Sequence, residues 1–260
     1  GTLGLDPDRV RVIEGDTDTV SFGTGTGGSR TATIGSAAVL KAMDKVIDKT
    51  KKIAAHALEA AMEDITFEEA QFAIAGTDRS MPFLDAVALA FDPANLPPDM
   101  EPTLAELASY SPEVENFPNG CHIVEVEITP ETGEIALARY SVVDDCGLEL
   151  NPLLVKGQVH GGIAQGVGQA LMENMVYDRD SGQLLSGSFM DYSMPRAGDL
   201  CDYDVGAHPV LTKTNLLGVK GVGEAGTVGA LAAVMNAINN ALAPLGIEHF
   251  EMPATPDRVW

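Results

Sequence analysis

The chain has 260 residues, 45% of them hydrophobic, which is enough to bury the core of one large or two small domains. Its formal net charge of −22 at pH 7 argues against nucleic acid or an anionic membrane surface as a partner. No apolar run is expected to reach the length of a membrane span. The widely spaced Cys121, Cys146 and Cys201 favour neither a zinc site nor a disulfide scaffold, so a reducing, cytoplasmic compartment is expected.

Hydrophobic periodicity in the first half of the chain predicts strands and helices in alternation. Alternating residues predict a strand over 9–16, and apolar positions at helical spacing predict a long helix from Ser36 to about Met62. One or two short strands are expected over 65–76 and a helix over 81–91. The proline-rich segment 92–103 is the best linker, and a sub-lobe boundary is expected there.

The second half contains the clearest patterns. Alternation on both sides of a Thr-Pro-Glu-Thr-Gly turn predicts a hairpin over 121–145, and a second hairpin is expected over 176–189. A helix is predicted after Pro152, and another from Glu224 to about Leu242. Because hairpins dominate the β part, these elements predict the α+β class, with mixed or antiparallel sheets and long helices.

Two glycine loops match the pattern G-x-G-x-x-G, at Gly23–Gly28 and Gly221–Gly226. A dinucleotide fingerprint also needs a strand leading directly into the loop and a helix beginning within it, and neither match has this context. The segment "GTGTGGSRT" nevertheless offers backbone N–H groups, hydroxyl groups and the guanidinium of Arg30 to an anion. An ordinary surface loop explains the same residues equally well.

Glu224 is the one carboxylate within the second glycine loop, "GVGEAG". An acid at a helix start is favoured by the helix dipole, so the residue can be an ordinary helix-start acid. Alternatively, the glycines admit a ligand on which Glu224 acts.

The stretch "GQVHGGIAQGVGQ" also allows a structural and a functional interpretation. Each helical glycine costs about 1 kcal/mol relative to alanine, so several in one helix need a reason. Close helix packing and close approach of a ligand, with Gln158 as a hydrogen-bonding partner, are both open.

Four segments together resemble one family. In chain order they are "GDTDTVSFGTGTGGSRTATIGSAAV", "VDDCGLELNPLLVKGQVHGGIAQGVGQAL", "GSFMDYSMPRAGDL" and "GVKGVGEAGTVGA". They resemble the molybdopterin-binding large subunit of the xanthine dehydrogenase family, and within it the bacterial subunits like the aerobic carbon monoxide dehydrogenase large chain. The resemblance covers about 3–260. It implies that residues 1–260 form the C-terminal molybdenum-cofactor-binding domain, the second such domain, of a longer hydroxylase large subunit.

The resemblance also implies roles for individual residues. Glu224 falls on the catalytic glutamate of the family, and it is expected to act as the base in a hydroxylation whose oxygen comes from water. The dithiolene of the pterin holds the molybdenum, so no protein ligand to the metal is expected. Asp145 and Lys220 are weaker matches than the others. The cofactor-binding positions implied are Gly28, Ser29, Arg30, Asp145, Gln158, Lys220 and Gly223.

The family further implies the cofactor and partners of the intact protein. The cofactor is expected to be molybdopterin cytosine dinucleotide with molybdenum, and 2Fe-2S and FAD centres are expected on partner subunits. The upstream half of the subunit completes the site, so the isolated fragment is expected to be inactive, and the assembly to be a dimer of trimers. The small-molecule substrate stays open among carbon monoxide, a purine, an aldehyde and an N-heterocycle. A non-catalytic cofactor- or partner-binding module is the alternative, and a nucleotide-binding protein is a weaker third reading.

Overall fold

A computed structural model describes residues 2–20 and 22–260 and divides them into two compact units. The first unit takes in the residues up to Gly25 together with Ile34–Ser111, and the second takes in Thr26–Thr33 and Pro112–Trp260. The first glycine loop, Gly23–Gly28, is therefore divided between the units, and Gly28, Ser29 and Arg30 belong to the second. The expected boundary at 92–103 lies inside the first unit, and it stays a prediction. Ser21, in the first of the four family-like segments, lies outside the described residues.

The first unit combines two helices with a three-stranded antiparallel sheet whose strands pair in chain order. Phe67, Phe72 and Phe83 form its aromatic centre, with ring centroids 4.7–6.2 Å apart. The predicted long helix ends at Ala57, five residues early. The elements are α1 (Ser36–Ala57), β1 (Ile65–Glu68), β2 (Gln71–Ile74), β3 (Ser80–Pro82) and α2 (Phe83–Leu89).

The strand predicted over 9–16 is wrong. Val10, Val12 and Ile13 are exposed, and none of the described residues pairs with this segment as a strand. Alternating side chains make a strand only where a neighbouring strand takes up the backbone hydrogen bonds and one face is buried. Neither condition is met, so the alternation at this position is not a structural signal.

The second unit places two long helices against a three-stranded mixed sheet whose strands pair in chain order. The first two strands form the predicted antiparallel hairpin, and the third runs parallel to the second. Together with the first unit, this confirms the predicted α+β class. The elements are β4 (Asn119–Ile128), β5 (Ile135–Asp145), α3 (Pro152–Leu171), β6 (Tyr203–Ala207), α4 (Ala225–Leu242) and α5 (Pro256–Val259).

The hairpin predicted over 176–189 is reduced to a turn with a single antiparallel bridge between Tyr177 and Leu184. The backbone N–H of Leu185 donates to the carbonyl of Val176 at 2.8 Å, but this pairing does not extend into strands. The parallel strand β6 was not predicted. It is short, and α3 lies between it and its partner β5 in the sequence, so no local pattern predicts the pairing.

Helix α4 lies in the core of the second unit. Ala230, Val234 and Ile238 are fully buried, and their spacing of four residues puts them on one face of the helix. The segment Ala225–Leu245 is also long and apolar enough, by length and composition alone, to cross a membrane. The expectation that no apolar run reaches this length was therefore wrong. Because the buried face packs into the cluster formed with α3 and the sheet, we assign α4 to the core.

Close packing explains several glycines of α3 and α4. A Cβ placed on Gly226 would lie 2.9 Å from the backbone nitrogen of Ile163, and one on Gly166 would lie 2.6 Å from the Cβ of Ala230. The hydroxyl of Thr227 donates to the carbonyl oxygen of Gly162 at 3.0 Å and fixes this contact. The glycines thus bring the start of α4 onto the middle of α3, and the packing interpretation holds for them.

Candidate functional site

A cavity of about 490 Å³ opens at the start of α4. Its wall comes from four parts of the second unit. They are the loop before α1, the start of β4 with the residues that lead into it, the end of β5, and the second glycine loop with the first two turns of α4. Glu224 lines this cavity and is itself exposed. The lining residues are Gly28, Ser29, Phe117, Pro118, Asn119, Gly120, His122, Asp144, Gly221, Glu224, Ala225, Val228 and Gly229.

Glu224 is held by Ser29. The hydroxyl of Ser29 donates to Oε2 of Glu224 at 2.9 Å, across 195 positions of sequence. Glu224 occupies the N-cap position of α4, yet its side chain makes no capping hydrogen bond among the described residues. The carboxylate is therefore directed at the glycine loop of Ser29 and not at the backbone of its own helix. This geometry does not match an acid whose only task is to cap α4.

The backbone of the Ser29 loop is shaped for this contact. Gly28 and Ser29 both have left-handed backbone angles, with φ of 63° and 55°. A non-glycine residue adopts this region at a cost of order 1–3 kcal/mol, and such strain is typical of functional sites. Gly221 completes the fit, because a Cβ at this position would lie 2.6 Å from the carbonyl oxygen of Ser29. The two glycine loops thus interlock.

Several of the residues implied by the resemblance lie together. A Cβ on Gly223 would lie 2.9 Å from Oγ of Ser29 and 3.5 Å from Oε1 of Gln158, so Gly223 separates these two polar side chains. Gly28 lines the same cavity as Glu224. Arg30 follows Ser29 and is half-buried, and its carbonyl accepts a hydrogen bond from Thr33 at 3.0 Å. The assigned roles of these residues stay predictions.

Asp145 and Lys220 form a second, adjacent group. Their side chains are 12% and 11% exposed, and Nζ of Lys220 donates to Oδ2 of Asp145. Oδ1 of Asp145 accepts from the backbone nitrogens of Gly147 and Val210, both at 2.9 Å. Burial raises the pKa of Asp145, but the hydrogen bonds from Lys220 and the two backbone groups outweigh it and lower the pKa to about 2. This pair ties the residue before Gly221 to the end of β5.

The lowered pKa of Asp145 predicts a loss of stability in acid. The folded-state pKa of about 2 lies below the ordinary value of 3.8, so the carboxylate stabilises the fold above about pH 4. This contribution, about 2 kcal/mol at neutral pH, is lost as the pH falls towards 2. We expect the unfolding free energies of the wild type and Asp145→Asn to differ at pH 6 and to converge by pH 2. Denaturant titrations across this range measure the difference, and a constant gap would contradict the assignment.

A buried polar cluster, two of whose members line the cavity, was not predicted from the sequence. Nδ1 of His122 lies 2.7 Å from the hydroxyl of Tyr140, and Nε2 lies 3.3 Å from Oδ1 of Asp144. Burial raises the pKa of Tyr140 well above its ordinary value, so its hydroxyl stays protonated at neutral pH. One signal was available, because Tyr140, Val142 and Asp144 alternate on the buried face of β5. A carboxylate at an inward position of such a strand calls for a polar partner.

The comparisons with known proteins decide the family. Residues 1–201 match the molybdopterin cofactor-binding domain family. The chain belongs to this family. The expectation drawn from the glycine-rich segments is confirmed, and the domain is of the kind found in molybdenum hydroxylase large subunits.

Individual relatives agree with this assignment. The chain is 34% identical over 259 residues to the carbon monoxide dehydrogenase large chain of Hydrogenophaga pseudoflava, covering 99% of this chain and 32% of that protein. It is 35% identical to the nicotine 6-hydroxylase large subunit of Paenarthrobacter nicotinovorans, with the same two coverages. The crystal structure of Cu,Mo-CO dehydrogenase in its carbon monoxide reduced state superposes with a TM-score of 0.91 at 32% identity, covering 99% of this chain and 32% of that one. The chain thus spans about a third of the length of these relatives.

Proposed function

We propose that this domain serves a molybdenum hydroxylase large subunit of the xanthine dehydrogenase family and that Glu224 is its catalytic base. The observation that carries the proposal is the position of the Glu224 carboxylate. It lines a cavity at the start of a helix, it is held by Ser29, and it makes no capping hydrogen bond among the described residues. A carboxylate that is fixed in this way and open to a cavity can accept a proton from a reacting group.

The residues around the cavity fit a cofactor that carries both phosphates and a heterocycle. A Cβ on Gly28 would meet no atom within 4 Å, so the backbone of this loop is open to close approach by a ligand. Helix starts and glycine-rich loops present N–H groups that favour anions, and the start of α4 supplies both. Gln158 can donate to and accept from a heterocycle edge. We infer that Gly28, Ser29, Arg30, Gln158 and Gly223 hold molybdopterin cytosine dinucleotide.

The chemistry divides between the cofactor and the chain. When bound, the molybdenum cofactor supplies the two-electron oxidation of the substrate. Glu224 removes the proton from the oxygen that comes from water, and Ser29 keeps the carboxylate in one orientation through its hydrogen bond. Because Glu224 is exposed in this chain, we assign the exclusion of water to the remaining two-thirds of the subunit. Asp145 and Lys220 fix the start of the second glycine loop, because their ion pair joins the residue before Gly221 to the end of β5.

The relatives support a proposal for the partner subunits and the assembly. The electrons are proposed to leave through 2Fe-2S and FAD centres on partner subunits, in a cytoplasmic hetero-oligomer arranged as a dimer of trimers. One relative at 33% identity is named as subunit gamma of the 6-hydroxypseudooxynicotine dehydrogenase complex, which supports an assembly of several subunits. The substrate is a small molecule of the carbon monoxide, purine, aldehyde or N-heterocycle class.

A cofactor assay separates this proposal from its alternative, a non-catalytic module. The chain is produced together with the rest of its subunit and the cofactor maturation factors, and the purified protein is analysed for metal and nucleotide. Molybdenum together with cytidine monophosphate released on hydrolysis is the expected result. Bound NAD without molybdenum would instead favour a nucleotide-binding protein, and molybdenum without turnover would favour the non-catalytic module.

Arg30→Ala is expected to weaken cofactor retention in the intact subunit without disturbing the fold. The guanidinium suits phosphate, so its loss removes a charged contact to the dinucleotide. Because the side chain is half-buried and lies outside the two apolar clusters, stability should change by no more than about 1 kcal/mol. Molybdenum content and melting temperature are measured on the same preparation. A large fall in melting temperature with unchanged molybdenum content would make Arg30 a structural residue.

A further inference from the structure

The polar cluster of His122, Tyr140 and Asp144 is not used by the chemistry proposed above. The side chains of His122 and Asp144 are each only 7% exposed, and Tyr140 is fully buried. Oδ2 of Asp144 has no hydrogen-bond partner among the described residues, and Oδ1 lies 3.3 Å from Nε2 of His122. Contacts to Tyr140 on one nitrogen and to Asp144 on the other hold the imidazole ring from both ends.

The ring lies against the start of α4. Gly229 is the fifth residue of that helix, and a Cβ on it would lie 2.5 Å from both Cδ2 and Cε1 of His122. The imidazole therefore occupies the space that a side chain at position 229 would take. Both residues line the cavity that Glu224 also lines. The histidine thus connects the β4–β5 hairpin to the helix whose N-cap is Glu224.

We propose that His122 is a positioning residue for Glu224, setting the start of α4 against the hairpin so that the carboxylate meets the reacting group in the cavity. The inference rests on the proposed function of Glu224. It assigns no proton transfer to His122, because both ring nitrogens face protein partners. The inference predicts that a small displacement of the start of α4 reduces the rate constant of the reaction. Substrate affinity should stay largely intact.

Gly229→Ala in the assembled enzyme is the most direct variant. The new methyl group needs about 1 Å of movement to reach an ordinary contact distance of 3.4 Å from the ring. A misplacement of this size at a catalytic group costs about 10²-fold in rate. We expect a loss of that order in the rate constant for reduction of molybdenum by substrate, with KM and molybdenum content little changed. Amide hydrogen exchange should become faster over residues 222–232 and stay unchanged in α3.

Two further variants isolate the contact. Asn236→Ala lies at an exposed position of α4 and, like Gly229→Ala, raises the helix propensity of α4. It adds no steric overlap with His122, so it should behave as the wild type. Adding His122→Ala to Gly229→Ala removes the overlap, and the methyl group then fills part of the vacated space. We expect this double variant to recover part of the lost rate and of the lost exchange protection.

The outcomes separate this inference from the function on which it rests. Wild-type rate and exchange in Gly229→Ala would overturn the positioning role, as would a loss explained entirely by lower molybdenum content or by a higher KM. If Gly229→Ala is unaffected while Glu224→Gln is inactive, only the role of His122 is wrong. If Glu224→Gln turns over normally, the catalytic assignment fails and the positioning role fails with it, whatever the exchange data show.

Discussion

Glu224→Gln in the assembled enzyme is expected to keep molybdenum, pterin and fold but to lose turnover by a factor of about 10² to 10⁴, the usual contribution of general base catalysis. Glutamine has nearly the same shape as glutamate, and its carbonyl oxygen can still accept the hydrogen bond that Ser29 donates to Glu224. It cannot accept a proton at neutral pH. The variant therefore removes the proposed chemistry while preserving the contact between the two glycine loops.

The opposing interpretation makes a different forecast for the same variant. If Glu224 served only as a helix-start acid, its loss would cost about 0.3–1 kcal/mol of stability and leave activity intact. Cofactor content, melting temperature and single-turnover reduction of molybdenum are measured on one preparation. Ser29→Ala keeps the carboxylate but frees its orientation, so its rate per bound molybdenum should fall less than that of Glu224→Gln. Near-normal reduction rates in the loaded Gln variant would remove Glu224 from the mechanism.

Lys220→Met is expected to destabilise the second unit by about 3 kcal/mol, because it leaves the carboxylate of Asp145 charged without its ammonium partner in a largely buried place. The backbone groups of Gly147 and Val210 still donate to Oδ1, but Oδ2 loses the partner observed in the structure. The backbone nitrogen of Lys220, the residue before Gly221, also donates to the carbonyl oxygen of Cys146 at 2.7 Å. Loosening at this point should therefore also reduce cofactor retention.

Equilibrium denaturation at neutral pH measures this effect. The double variant Asp145→Asn, Lys220→Met is the control, because it removes both charges and retains an oxygen for the two backbone donors. It should be more stable than Lys220→Met alone. If the free energy of unfolding of Lys220→Met falls by less than about 1 kcal/mol, the pair contributes no more than an exposed ion pair, which is worth about 0–1 kcal/mol. The pair would then not explain how the glycine loop is fixed.

The long elements of the fold could be predicted from two kinds of local signal. The hairpin β4–β5 and helix α1 show a sustained hydrophobic period, and α3 and α4 are marked by Pro152 and by the second glycine loop at their starts. The strand expected over 9–16 failed because a short alternating run carries no information about a partner strand. The parallel strand β6 was missed for a related reason, since its pairing with β5 depends on tertiary contacts that no local pattern encodes.

The candidate site was only partly accessible from the sequence. The glycine loops and Glu224 are visible as unusual local composition, and the resemblance connected them. The hydrogen bond between Ser29 and Glu224 joins residues 195 positions apart, and it depends on the missing side chain of Gly221. No periodicity predicts such a contact. His122 was overlooked because its role depends on the neighbouring strand and on Gly229, although the inward position of Asp144 was a usable signal.

An anomalous-difference map of the assembled enzyme, recorded at the molybdenum absorption edge, tests the central claim most directly. The claim is that this domain presents Glu224 to a molybdenum centre in the cavity bounded by Ser29, His122 and the start of α4. We predict a single strong molybdenum peak per large subunit in that cavity, with a ligand of the metal within hydrogen-bonding distance of the Glu224 carboxylate. A molybdenum peak outside this cavity, with Glu224 still bonded to Ser29 and facing only protein or solvent, would contradict it.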